Sequence, residues 1–425
     1  MSYQINTLLE IKGFTDIYTQ CIHCGMCLTA CPTYELTKLE RSSPRGRIKL
    51  IRAAAEGILP VSEIFAYEMN FCLDCQACET ACPAGVKFGK MVEAARVETE
   101  NNGYGSFLKS FFLKKIIPYK NRLKLAAVVL RFYQISGLNK IIKSSGILKS
   151  LFPKLSDIEE LAPVINGKFS DSLIREYNPP EGDPKYKLAF SYGCLMNIFF
   201  SDVNRDTVEL LNKLSAEVIS PVNQTCCGSL NAHNGDVKTA KKLAEQNIKE
   251  FSRYEYDYLI SNSAGCGAFM KEYGELFKED AYLAAEAEEF ASKVKDISEF
   301  LSEIQLPQIK NKYDQSVTYH DACHLVHTQK IFSQPRELIN KIPGIDFIPL
   351  EESTKCCGSA GIYNIVHFDT SMELLKMKTD KIGETGAEVV LTGNPGCMLQ
   401  IGHGLKRHSK NSRVEHIATF FNKLI

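Results

Sequence analysis

Cys21-Ile22-His23-Cys24-Gly25-Met26-Cys27-Leu28-Thr29-Ala30-Cys31-Pro32 is answered 51 residues later by Cys72-Leu73-Asp74-Cys75-Gln76-Ala77-Cys78-Glu79-Thr80-Ala81-Cys82-Pro83. Both stretches read Cys-x2-Cys-x2-Cys-x3-Cys-Pro, the spacing that cages cubane iron-sulfur clusters in pairs. Three thiolates on one tight loop reach three irons of one cube. The fourth, held before proline, points away toward the cube built on the other loop. The spacing therefore predicts one [4Fe-4S] cluster on Cys21, Cys24, Cys27 and Cys82, and a second on Cys72, Cys75, Cys78 and Cys31.

The same arrays occur in bacterial ferredoxins. A disulfide framework or paired zinc knuckles are the alternatives, and two features argue against them. The start, MSYQINTLLEIKGF, lacks the basic, apolar and small-residue order of a secretory leader. Two identical arrays closed by proline are also unusual for zinc. A cytoplasmic, reducing location is expected.

The 425 residues suffice for two or three cores, and 44% hydrophobic with 24% charged residues is ordinary for a globular protein. With 50 basic and 50 acidic residues the formal charge is zero, so nothing in the total suggests nucleic acid as a partner. No apolar run approaches the roughly 20 residues needed to span a bilayer. The charge is unevenly spread. Between Glu100 and Asp157 no acidic residue occurs, while Lys109, Lys114, Lys115, Lys120, Arg122, Lys124, Arg131, Lys140, Lys143, Lys149 and Lys154 stand among Phe, Leu and Ile. Such a stretch, 104–156, could rest peripherally on an anionic membrane face or against a partner subunit. Its lysines could equally be the wet face of helices over an internal core.

The first hundred residues read as mostly helical. Pro44-Arg45-Gly46-Arg47 opens an amphipathic stretch that Gly57 can stop, and Ser62 can cap a second helix leading into Cys72. Forty residues separate Cys31 from Cys72, which suits a helical linkage of the two loops and not a hairpin. The loop-like Asn178-Pro179-Pro180-Glu181-Gly182-Asp183-Pro184 marks a domain boundary.

Beyond it the chain repeats itself. Cys194, Cys226, Cys227, Gly228 and Cys266 recur as Cys323, Cys356, Cys357, Gly358 and Cys397, at offsets of 129, 130, 130, 130 and 131 residues. In each half, short β-rich runs such as KLAFSYGC and SVTYHDAC end at a cysteine, and helical stretches such as VKTAKKLAEQNIKEF separate them. That alternation predicts parallel strands with crossover helices, whose carboxyl ends gather ligands on one rim. The expected fold is multidomain α and α/β. Residues 1–103 form a helical two-cluster domain, 104–183 a basic, mostly helical connector, and 184–308 and 309–425 two repeated α/β domains.

Four thiolates per repeat suffice for a cluster or a closed structural zinc, with free or redox-active thiols as the third possibility. The candidate sites are Cys194, Cys226, Cys227 and Cys266, and Cys323, Cys356, Cys357 and Cys397. His320 and His324, flanking Asp321 and Cys323, could donate to cluster sulfur or form a quinone- or partner-facing surface. The plainer reading makes them satisfied polar residues at a strand end. His23, inside the first loop, could tune a cluster or serve as an exposed spacer.

The Cys-xn-Cys-Cys-Gly-xn-Cys pattern resembles the CCG, or cysteine-rich, domain of heterodisulfide reductases and related oxidoreductases. That domain closes with Cys-x2-Cys, whereas Cys266 is followed by Gly267-Ala268-Phe269 and Cys397 by Met398-Leu399-Gln400. Absence of the fifth thiolate argues against non-cubane clusters and disulfide-cleaving chemistry. Taken in order, CIHCGMCLTACPTYEL, SPRGRIKLI, CLDCQACETACPAGV, SAGCGAFMKEYGE, HDACHL and CCGSAGIY resemble the glycolate oxidase iron-sulfur subunit family over nearly the whole chain. The resemblance is weakest in 104–183.

That resemblance implies an electron-transfer subunit of an oxidoreductase complex. A separate FAD-dependent dehydrogenase subunit would oxidise the 2-hydroxy acid, and electrons would pass toward quinone or another membrane acceptor at the inner face of the cytoplasmic membrane. No Gly-x-Gly-x-x-Gly follows a strand, in keeping with a flavin held elsewhere. The alternatives are an anchor-type subunit of glycerol-3-phosphate dehydrogenase, a heterodisulfide-reductase-like catalytic subunit, and a zinc-stabilised scaffold.

Overall fold

The computed structural model describes residues 14–146, 150–151, 153–165, 167–309 and 312–425. Residues 1–13, most of the start read for a leader, lie outside the described residues, as do Lys149 and the side chains of Lys143 and Lys154.

Among the described residues up to 101 the regular elements are helices: Phe14–Thr19, Pro32–Thr37, Pro44–Ala55, Glu63–Asn70, Ala77–Thr80 and Phe88–Asn101, with a tight turn at Glu40–Ser42. Ser43 caps Pro44–Ala55 by accepting from Gly46 N at 3.1 Å, while Pro44 takes the first helical position, where its missing N–H costs nothing. Gly57 follows the helix with a left-handed backbone at φ +71°. Ser62 accepts from Phe65 N at 3.3 Å and caps Glu63–Asn70. Ile48, Ile51, Phe65, Met69, Met91 and Val92 from these helices form a small core that includes Cys78. Each such side chain contributes about 1.5–3 kcal/mol on burial.

From Tyr177 onward strand and helix alternate. Strands β1 (Tyr177–Asn178), β2 (Tyr186–Ser191), β3 (Ala216–Ile219), β4 (Tyr258–Ser261) and β5 (Val294–Asp296) form a sheet in the order β1-β3-β2-β4-β5, parallel except for β1. Strands β6 (Ser316–Tyr319), β7 (Asp346–Phe347), β8 (Val389–Thr392) and β9 (Arg413–His416) form an all-parallel sheet in the order β7-β6-β8-β9. In both, the chain leaves the inner strand on one side and crosses to the other, so the connections diverge beyond the carboxyl ends of β2 and β6.

The two repeats share one core. Phe190, Val218 and Ile260 of the first meet Tyr319, Val389 and Leu391 of the second. The closing helix Ile417–Leu424 adds Phe420 and Phe421 to it. His416 caps that helix through Nδ1, and its Nε2 donates to the Asn262 carbonyl of the first repeat at 2.9 Å.

The basic segment forms helices Phe107–Phe111, Lys120–Ile135, Leu138–Ser145 and Pro153–Leu161. One face of Lys120–Ile135 buries Leu123 and Ala127 against Ile165 and Ile198. The other leaves Leu125, Val128, Val129, Phe132 and Ile135 exposed. No helix among the described residues is long and apolar enough to cross a membrane.

Candidate metal centres

Cys21, Cys24, Cys27 and Cys82 line one cavity at the protein surface, together with Arg45, Ile48, Val86 and Phe88. The Cys24 side is open to solvent. The loop is held by Arg45, whose Nη1 donates to the His23 carbonyl at 3.3 Å while its Nε and Nη2 grip the Glu40 carboxylate at 2.6 and 3.1 Å. His23 turns the chain in the left-handed region, φ +56°, with its side chain exposed. Gly46 lets Pro44–Ala55 approach the preceding turn: a Cβ there would stand 1.9 Å from the Glu40 carbonyl oxygen.

Cys31, Cys75 and Cys78 are buried, and Cys31 lies within electrostatic reach of both, as it does of Cys27 on its own loop. Burial drives the Cys75 and Cys78 thiols well up, and charge on Cys31 and Cys72 would raise both further. A metal bound by these buried thiols would have to displace their protons. Cys78 also borders the first cavity, so the two centres adjoin.

Two buried arginines frame this second set, and sequence reasoning missed both. Arg47 is fully buried; its Nε donates to the Glu68 carbonyl at 2.8 Å and its Nη1 to Thr33 Oγ1 at 3.1 Å, with Thr33 Oγ1 in turn 3.3 Å from Cys31 Sγ. Arg96 donates to the Cys72 and Met69 carbonyls at 2.5 and 3.1 Å. Burial raises the Cys72 thiol, and Arg47 and Arg96 oppose it. The signal available was SPRGR, where a second arginine sits on the helix face that also carries Ile48 and Ile51.

In the repeats every cysteine follows the carboxyl end of a strand. Cys194 Sγ lies 3.2 Å from Cys226 Sγ, and sulfur contacts run on through Cys227 to Cys266. The second repeat repeats the chain of contacts from Cys323 through Cys356 and Cys357 to Cys397. Gly228 and Gly358, at φ +90° and +88°, make the turn that presents each pair. The positions of the missing fifth thiols are occupied by Phe269, which is core, and Gln400, which bonds Ser371 Oγ at 2.8 Å and Asn364 at 3.0 Å.

The two histidines differ: His324 is a satisfied polar residue, as the plainer reading has it, and His320 is not. His324 Nε2 donates to the Asp74 carbonyl at 3.0 Å, facing the helical module and not an open partner surface. His320 is 1% exposed and neither ring nitrogen has a hydrogen-bond partner, so it is not a satisfied polar residue. One of its nitrogens lies within 4.8 Å of both Cys357 Sγ and Cys397 Sγ.

The helical module and the second repeat meet at their sulfurs. Cys75 and Cys356 belong to one buried cluster with Phe71 and Tyr363, and Cys323 packs against it. Beside them, Arg96 Nη1 donates to the His233 carbonyl of the first repeat at 2.7 Å. Burial pulls the His233 ring down, but Glu93 and Asp74 outweigh it and hold its pKa well above the ordinary value.

Comparison with known proteins agrees with this layout. A family model described as a 4Fe-4S dicluster domain matches residues 17–86, and the cysteine-rich CCG domain matches 188–271 and again 317–402. The linker region of the glycolate oxidase iron-sulfur subunit matches 105–162. A Bacillus subtilis (strain 168) protein described as "Probable glycolate oxidase iron-sulfur subunit" is 38% identical over 405 residues, 93% of this chain and 91% of its own length. The "Glycolate oxidase iron-sulfur subunit" of Escherichia coli (strain K12) is 26% identical over 91% of this chain and 90% of its own. "Lactate utilization protein A" of Oceanobacillus iheyensis is 33% identical over 56% of this chain and 96% of its own.

Proposed function

The chain belongs to the family of glycolate oxidase iron-sulfur subunits, and from that premise we propose that it relays electrons from a flavin-bearing dehydrogenase of glycolate or a similar 2-hydroxy acid toward a membrane acceptor such as quinone. Cys21, Cys24, Cys27 and Cys82 hold one [4Fe-4S] cluster, and Cys72, Cys75, Cys78 and Cys31 the other. When bound, the clusters supply one-electron couples that divide the two-electron output of a flavin. Cys323, Cys356, Cys357 and Cys397 hold a further iron-sulfur centre.

The observation that carries this reading is the packing of Cys75 against Cys323 and Cys356. It supports an unbroken line of sulfur sites from the exposed Cys24 loop, through the buried set, into the second repeat. The protein's part is positioning and electrostatics. Arg45 holds the outer loop, Arg47 and Arg96 place fixed positive charge beside the inner one, and His324 ties that loop to the second repeat. Ile22 and Met26, exposed on either side of Cys24, offer an apolar rim for the flavoprotein. The exposed apolar face of Lys120–Ile135 is the side that meets the membrane.

The linker match over 105–162 favours glycolate over the glycerol-phosphate alternative. The test is affinity purification of the tagged chain from its own cells under anaerobic conditions. A co-purifying flavoprotein that oxidises glycolate and bleaches the visible absorbance of this chain supports the reading; recovery of a glycerol-phosphate-oxidising partner, or of the chain alone with bound zinc, overturns it.

A further inference from the structure

We propose that His320 is a nitrogen ligand to iron in the second repeat, so that this site is a mixed nitrogen and sulfur centre while its counterpart in the first repeat is held by sulfur alone. The proposal rests on the reading that the second repeat binds an iron-sulfur centre. Three observations lead to it.

His320 is enclosed, at 1% exposure, with both ring nitrogens lacking a hydrogen-bond partner. A buried polar atom left unmade costs about 1–3 kcal/mol, so an imidazole with two such atoms marks a missing partner. The Ser353 backbone is its polar neighbour on one side, without a bond of good geometry. On the other, one ring nitrogen and the sulfurs of Cys357 and Cys397 lie within 4.8 Å of one another. Iron and zinc hold nitrogen and sulfur at about 2.0–2.3 Å, which puts donors of one tetrahedral ion roughly 3.3–3.8 Å apart. The three donors are therefore near enough to serve the same iron in pairs or neighbouring irons of one cluster, with the opposite ring nitrogen free to donate to backbone, the usual arrangement of a ligating histidine.

The repeats differ where they should. At the position of His320, 129 residues earlier, the first repeat has Ser191, whose side chain cannot take this role. The second repeat also buries a cation that the first lacks. Lys378 is 3% exposed, its Nζ donates to the Glu352 carbonyl at 2.6 Å, and Cys356, Cys357 and Cys397 lie within its electrostatic reach. Its counterpart 130 residues earlier is Ile248. A thiolate-rich centre is anionic, and an ammonium beside it together with a neutral nitrogen ligand favours its reduced form. The second repeat is also the one whose sulfurs pack on Cys75.

The test uses the full-length chain, purified anaerobically, with 15N only in histidine and 57Fe as its iron. It is reduced stepwise with dithionite and followed by Mössbauer and electron-nuclear double resonance spectroscopy. The signal removed by Cys357→Ser and by Cys397→Ser is expected to carry a nitrogen coupling of directly bonded size. His320→Gln is expected to abolish that coupling, and His320→Cys to retain iron but move the couple to lower potential. The amino-terminal cluster signals, unchanged in each variant, show that the chain has folded. A coupling that is absent, that stays as weak as for an N–H hydrogen-bonded to sulfur, or that survives His320→Gln overturns the ligand assignment while leaving the cluster in place. If Cys357→Ser and Cys397→Ser alter neither iron content nor spectra, the cluster reading fails, and the ligand with it.

Discussion

His324 Nε2 lies 3.0 Å from the carbonyl oxygen of Asp74, a contact between residues 250 positions apart. A carbonyl only accepts, so the ring carries its proton on Nε2. Asp74 sits between Cys72 and Cys75 with φ +54°, a left-handed backbone that needs outside support. His324, one residue past Cys323, supplies it and thereby sets the inner cluster loop against the second repeat.

Replacing His324 by Phe leaves that carbonyl without a partner. The expected loss is about 1–3 kcal/mol in anaerobic denaturant titrations. Electron transfer from the amino-terminal signals into the second repeat is expected to slow, as followed by freeze-quench paramagnetic resonance. Gln at this position recovers part of both. Stability and transfer rate unchanged in His324→Phe would remove the contact from the account.

On the proposed assignment, Arg47 shields the inner cluster. Arg47→Met removes the buried donors to Thr33 and the Glu68 carbonyl and takes a positive charge from beside Glu68, which is itself 1% exposed. A loss of about 3 kcal/mol is expected, with a shift of one cluster couple to lower potential; Arg47→Lys, which keeps the charge, shifts the couple less. Redox titration of both variants decides between charge and packing.

His233 gives the junction a pH dependence. Its folded pKa is raised well above 6.5 by Glu93 and Asp74 acting against burial. A group raised on folding contributes its full stabilisation below the unfolded value, about 6.5, and loses it as pH climbs through the folded one. Stability should therefore decline on the alkaline side of neutrality in wild type, and that slope should flatten in His233→Gln. An equal slope in both would assign it to another group.

The exposed face of Lys120–Ile135 predicts binding to lipid. Vesicles with anionic headgroups are expected to sediment the chain at low salt, neutral vesicles to leave it in solution, and Leu125→Glu with Phe132→Glu to abolish sedimentation without changing iron content. Failure of wild type to bind anionic vesicles would leave that face for a protein partner.

Much of this was legible because cysteine spacing is a geometric statement. Cys-x2-Cys-x2-Cys-x3-Cys-Pro specifies a loop, and a five-position offset near 130 specifies a duplication whose strand ends converge. The capping by Ser62 and the parallel strands were also readable from local chemistry. The single core joining the repeats was not, because Phe420 and Phe421 look like any amphipathic helix until the other repeat is in place. Arg47 and Arg96 were hidden for a related reason: an arginine in a helix reads as a solvent residue until a carbonyl or thiolate is found beside it. His320 departs from the plainer reading because a strand-end histidine normally bonds backbone, and here the Ser353 backbone stands beside it without a bond of good geometry.

The most direct test of the relay is paramagnetic resonance and metal analysis of anaerobically purified protein and its cysteine variants. The account predicts roughly eight or more irons per chain with matching acid-labile sulfide. It also predicts that Cys31→Ser removes the same signal as Cys75→Ser, and Cys82→Ser the same signal as Cys24→Ser, because each fourth thiolate serves the other loop. Colourless protein, or a Cys31→Ser spectrum that matches Cys24→Ser, would contradict it.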